Sequence, residues 1–193
     1  TLGANQVLVM ESTADGVVVG FSSGDVVRFG GTPLMERSRF RLPNDASRMG
    51  SIALAGERAF VASTGRLFVY SEGALSEVPM GGTGARRDLA VGAGRVGEII
   101  VAGGSHLARV SAQSHAVLGN ATSEAGQTFQ LSVRCNPAAQ LCYWKRGNRV
   151  EVWRDDLSER VASGDVSGAV DAGTGRALQP MGQSSSPAPG AVA

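Results

Sequence analysis

Cys135 and Cys142 are the only cysteines among the 193 residues, and they flank Asn136-Pro137-Ala138-Ala139-Gln140-Leu141, where one extended stretch turns into the next. A cross-strand pair at the base of a hairpin meets disulfide geometry, which would point to an oxidising compartment. The same spacing also fits two free, half-buried thiols on neighbouring strands, and two cysteines alone do not choose between these readings. His106 and His115 are the only histidines, and neither a Cys-x-x-Cys nor a His-x-x-x-His spacing occurs. The sequence therefore predicts no metal site, and no cofactor is expected. Both histidines read as solvated, His106 at a hairpin tip and His115 at the start of an outer strand. Asp155-Asp156 reads as turn chemistry. With no phosphate-binding loop either, enzyme activity is not expected.

Arg37, Arg39 and Arg41 alternate along a predicted outer strand that exits towards Arg48. Alternate residues of a strand share a face, so the three would form a row able to engage carboxylates or phosphates, or a charged edge that discourages association. Arg86 and Arg87 mark a Gly-rich stretch, Met80 to Arg87, that reads as a surface loop. Tyr143, Trp144 and Trp153 lie close in sequence to Lys145, Arg146 and Arg149. Such a mixture suits recognition of a partner by stacking and cation–π contact, and it equally suits packing between sheets. The candidate partner-binding set is thus Arg37, Arg39, Arg41, Tyr143, Trp144, Arg146 and Trp153. Asn120-Ala121-Thr122 is a glycosylation acceptor triplet on a predicted loop. With the cysteine pair it leans the localisation towards a secreted, periplasmic or luminal compartment.

Charge is nearly balanced, 18 basic against 17 acidic side chains, which gives no electrostatic case for nucleic acid as a partner. Apolar runs are all far shorter than the roughly 18 residues of a bilayer span, so no transmembrane segment is predicted. The chain begins at Thr1, which reads as a processed start or as a piece of something longer.

Elements that could position these residues follow from a repeat. Segments of the form apolar strand, tight turn, second strand recur with turn positions at Gly24, Gly65, Ser105 and Gly147, spacings of 41, 40 and 42 residues. Each period reads as four short strands, and no window sustains helical periodicity, so an all-β chain of sixteen strands is expected. Four repeats occupy residues 1–162 (about 5–43, 50–82, 87–122 and 127–163). Partial extra strands are expected at 163–182, and 183–193 is a Ser/Pro/Ala-rich tail or linker.

The segment Val17-Val18-Val19-Gly20-Phe21-Ser22-Ser23-Gly24-Asp25-Val26-Val27 resembles the second and third strands of a WD40-like propeller blade, and Arg149-Val150-Glu151-Val152-Trp153-Arg154-Asp155 resembles its closing Trp-Asp region. The Gly-His pair that opens such repeats is absent, and Phe29, Tyr70 and Val110 stand where three copies would carry the closing Trp. Ala169-Val170-Asp171-Ala172-Gly173-Thr174-Gly175-Arg176-Ala177-Leu178 resembles a segment of quinoprotein-type blades. The resemblance implies a β-propeller of about four four-stranded antiparallel blades. Propellers close with roughly four to eight blades, six to eight being usual, so four imply an incomplete ring, completed by a protein partner or by remaining blades of the same polypeptide. The expected function is a non-catalytic interaction scaffold within a larger assembly. The alternatives are a quinoprotein-like, cofactor-binding or enzymatic propeller and a structural or surface subunit.

Overall fold

A computed structural model describes residues 6–13, 15–44, 48–79, 89–123 and 131–165. Among these described residues sixteen strands form four antiparallel sheets, each a meander in chain order. Sheet 1 holds β1 (Val7–Ser12), β2 (Gly16–Phe21), β3 (Asp25–Gly30) and β4 (Met35–Arg41). Sheet 2 holds β5 (Met49–Ala55), β6 (Arg58–Ser63), β7 (Arg66–Ser71) and β8 (Ala74–Val78). Sheet 3 follows with β9 (Leu89–Ala93), β10 (Glu98–Gly103), β11 (His106–Ser111) and β12 (Val117–Thr122), and sheet 4 with β13 (Leu131–Asn136), β14 (Leu141–Arg146), β15 (Arg149–Arg154) and β16 (Arg160–Asp165).

Runs of β-branched residues at the second strands, Val17 to Val19 and Ile99 to Val101, favour extended backbone buried on both faces. Turn chemistry sets the register. Thr64 and Gly65 both take positive φ, 48° and 75°, the requirement of a two-residue turn whose twist matches the strands it joins. In the third copy the positive φ falls on Gly104 (59°) instead of Ser105. Two outer strands start later than the sequence suggests. His115, at φ 59°, donates its N–H to Ser111 O, and Leu157, at φ 64°, donates to Arg154 O, so both residues belong to turns and the strands begin at Val117 and Arg160.

The first strand of each sheet is the innermost, and these strands pack in order, β1 on β5, β5 on β9 and β9 on β13. The Val91 N–H donates to Ser51 Oγ at 2.7 Å, tying β9 to β5. Gly92 lets β9 approach β13 closely, because a Cβ there would stand 2.5 Å from Val133 O. Core residues alternate between the two faces of each sheet. Val18 and Val26 of sheet 1 meet Ile52, Val61 and Phe68 of sheet 2. Phe60, Leu67 and Val69, at alternate positions, meet Ile99, Val101 and Val110 of sheet 3. Ile100, Ala102 and Leu107 then meet Val133, Trp144 and Trp153 of sheet 4. Fully burying one such aliphatic side chain contributes about 1.5–3 kcal/mol, so the seams between sheets account for most of the fold's apolar stabilisation.

Candidate interaction surfaces

Alternation leaves two faces outside the three seams. On sheet 1, Val19, Phe21 and Val27 form a cluster with Val17 and Phe29 that draws on this sheet alone, whereas each seam cluster draws on two sheets. Val7 and Met10, paired with Phe21 and Val19, extend this face and are 57% and 62% exposed. On sheet 4, Tyr143 and Lys145 of β14 and Val150 and Val152 of β15 alternate with the seam residues Trp144 and Trp153, and all four are half-buried. β16 is exposed throughout.

Arg39 and Arg41 lie on the outer face of sheet 1, paired with Val27 and Asp25. Arg37 does not join them, which corrects the expected row of three. A bulge between Arg28 and Phe29 shifts the register so that Glu36, opposite Phe29, takes the next place on that face. Glu36 binds Arg39 through two hydrogen bonds of 3.0 and 2.8 Å, and the pair draws the Glu36 carboxyl below its ordinary range through the Arg39 hydrogen bond. Arg41 donates to Ser23 O at 3.1 Å. Arg37 is exposed and lies over Gly30 and Gly31.

Trp144, Arg146 and Trp153 are placed in the seam between sheets 3 and 4 instead of on a free surface, and at most 8% of each is exposed. The polar centre they surround is Glu151, which sequence reasoning passed over. Its carboxylate accepts from Arg146 Nη2 at 2.9 Å, from Trp153 Nε1 at 3.1 Å and from Ser123 Oγ of the residue that follows β12. The Arg146 guanidinium also lies 4.5 Å from the Trp144 ring centroid. Burial alone would raise the Glu151 carboxyl, but the hydrogen bonds from Ser123 and Trp153 and the Arg146 charge outweigh it and hold the group below its ordinary value. At the rim of the same seam Arg95 forks onto Asp155 with bonds of 2.8 and 2.5 Å, which lowers the Asp155 carboxyl. A signal for Glu151 existed: a lone acid between apolar neighbours in a buried strand needs a partner.

Cys135 and Cys142 face each other across β13 and β14 with Cα atoms 4.0 Å apart and are joined in a disulfide. Asn120 lies exposed on β12, an outer strand, instead of in the loop expected for it. His106 is exposed, but His115 is not solvated as expected, since its half-buried ring meets Phe60 edge-on with centroids 6.1 Å apart. No group of metal-ligating side chains occurs among the described residues, and no helix there is long and apolar enough to cross a membrane. Arg86, Arg87, Asp171 to Leu178 and the tail from 183 lie outside the described residues.

Gly20-Phe21-Ser22-Ser23-Gly24 has the Gly-x-Ser-x-Gly spelling of a hydrolase nucleophile turn, a match that sequence reasoning overlooked. Here it closes a hairpin between β2 and β3, with no helix after it, and Ser22 Oγ accepts the Gln6 N–H at 3.1 Å, so the strand-turn-helix context of a nucleophile elbow is missing. A cavity of about 240 Å³ opens where the innermost strands end, lined by Glu11, Asp15, Arg28 and Leu54 among others. Each of these charged side chains is ion-paired, although Arg28 Nε is buried without a hydrogen-bond partner. Arg28 pairs with Glu57 at 2.6 Å and Asp15 at 3.6 Å, and Glu11 receives Arg134, which links β1 to β13.

No protein-family model and no curated protein matches this chain. Solved structures do match, and one is a chain of the crystal structure of the mitotic checkpoint complex, with a TM-score of 0.65 and 12% identity over 86% of this chain and 53% of that one. The four sheets are propeller blades. They resemble WD40-type blades in shape, and the chain spans about half the length of the chain it matches. With 1024 chains of solved structures similar to it, the fold by itself selects no partner.

Proposed function

We propose that this chain is a non-catalytic propeller-type interaction scaffold that works as a segment of a larger assembly, bound through the outer faces of blades 1 and 4. One observation carries the reading. The outer cluster of blade 1 is built like half of a seam, with apolar residues at the positions that in blade 2 pack on blade 1. The matching half on blade 4 presents Tyr143, Lys145, Val150 and Val152. The centre of the blade 1 cluster is already buried, but Val7 and Met10 at its margin are more than half exposed, and burial of that apolar area would favour association with a complementary surface. Arg39, paired with Glu36, and the exposed Arg41 sit at the outer margin of the blade 1 face, where Arg41 favours a partner with carboxylates at its rim. Membership of a protein complex by the matched structure agrees with such a role.

The test places a photo-crosslinking amino acid at Tyr143, at Arg39 and, as a control, at the exposed Gln113. Adducts of one discrete mass from the first two positions and none from the third are expected. Equal labelling at all three would remove the assignment of these faces.

A further inference from the structure

We propose that Asn120 on the outer strand of blade 3 carries an N-linked glycan. Of the five asparagines in the chain, Asn120 alone is followed by the acceptor spacing, here Ala121 and Thr122. Accessibility is the first argument. Asn120 lies on β12, the outermost strand of sheet 3, and is exposed. Strand alternation puts Asn120 and Thr122 on one face, both exposed, while Ala121 between them turns into the seam at 7% exposure. Opposite Asn120 on β11 stands Ala108, whose short side chain leaves room beside the amide. Amide and hydroxyl are thus presented together, and a bulky polar group on Nδ2 displaces no core residue. Compartment is the second. Cys135 and Cys142, the only cysteines, are joined and leave no free thiol, and a disulfide persists where the surroundings are oxidising. An oxidising secretory lumen is also where Asn-x-Thr triplets are modified. The third is the edge itself. β12 has a neighbour on one side only, and Val117 and Leu118 just before Asn120 are 61% and 44% exposed. A glycan there covers apolar surface and shields the free edge from addition of a foreign strand. In the transfer, Asn120 Nδ2 gives up one hydrogen and bonds to C1 of the first sugar. The bond from C1 to the pyrophosphate oxygen of a lipid-linked oligosaccharide breaks, and the lipid pyrophosphate leaves with the proton.

Mass spectrometry of the protein purified from the cells that make it tests this. Trypsin releases residues 110–134 as one peptide whose single asparagine is Asn120. Before treatment the peptide should be depleted at its unmodified mass. After an amidase that removes N-linked glycans acts in heavy-oxygen water, it should appear with Asp bearing heavy oxygen at position 120. Expressed in the same cells, Asn120→Gln and Thr122→Ala should lose the slower gel band that the amidase collapses in the wild type, and Thr122→Ser, which keeps the hydroxyl, should retain it. A peptide found wholly at its unmodified mass in the natural protein overturns the proposal. So does a slower band that persists in Asn120→Gln and Thr122→Ala. These readouts are separate from the crosslinks at Tyr143 and Arg39, so the glycan and the scaffold reading stand or fall independently.

Discussion

Arg146 Nη2 lies 2.9 Å from Glu151 Oε1, and neither side chain exposes more than 1% of its surface. The pair joins adjacent strands of blade 4 and reaches Ser123 beyond blade 3, so the charge that could have served recognition is used to register one blade on the next.

Removing one partner leaves a buried charge without its counterion. Glu151→Gln is expected to cost about 3–5 kcal/mol, read as a lower urea midpoint at unchanged slope, whereas Arg146→Met with Glu151→Leu should fall close to the wild type. A wild-type midpoint for Glu151→Gln alone would show that the pair carries no net stability.

Acid should unfold the protein through the same seam. The Arg95 hydrogen bonds lower Asp155; for Glu151, burial raises the carboxyl but its hydrogen bonds and Arg146 lower it further, so both fold with depressed values. A depressed carboxyl contributes stability above its unfolded value, near pH 4, and that stability is lost as pH falls through the folded value. Thermal midpoints should therefore be flat from neutrality to about pH 5 and drop below it. Asp155→Asn should flatten part of that drop.

Cys135 and Cys142 close a loop with a sequence separation of 7. Chain-entropy reasoning assigns so short a loop about 2.5 kcal/mol, so the double Ser variant should show a loss of that order in chemical denaturation. Intact mass should rise by two hydrogens on reduction of the wild type and not of the variant.

At Gly92 an added methyl group meets backbone, Val133 O at 2.5 Å, and cannot be relieved by a side-chain rotation. Gly92→Ala is expected to cost about 1–3 kcal/mol by forcing β9 away from β13. By contrast Gly56→Ala meets nothing within 4 Å, although its φ of 62° adds strain of its own.

Much of the architecture was legible because a period near 41 residues and paired turn residues are local signals, and sixteen strands in four antiparallel sheets follow from them. The candidate surface was legible only in part. Tyr143 and Trp144 are neighbours in sequence, yet one faces outward and the other is wholly buried, because strand residues alternate and only the seam decides which side is the core. Arg37 fell out of its row because a bulge inserts one residue, and no composition rule announces a bulge.

By itself, then, the sequence determined the strands, their turns and the repeat, since these depend on alternation and backbone preference within a few residues. Tertiary structure decided that Trp144, Arg146 and Trp153 hold a seam around Glu151, that Arg134 reaches Glu11, 123 residues away, and that one face of blade 1 and one of blade 4 stand outside the seams. Those outcomes depend on which sheet packs against which, a relation between residues far apart in the chain that no local pattern records.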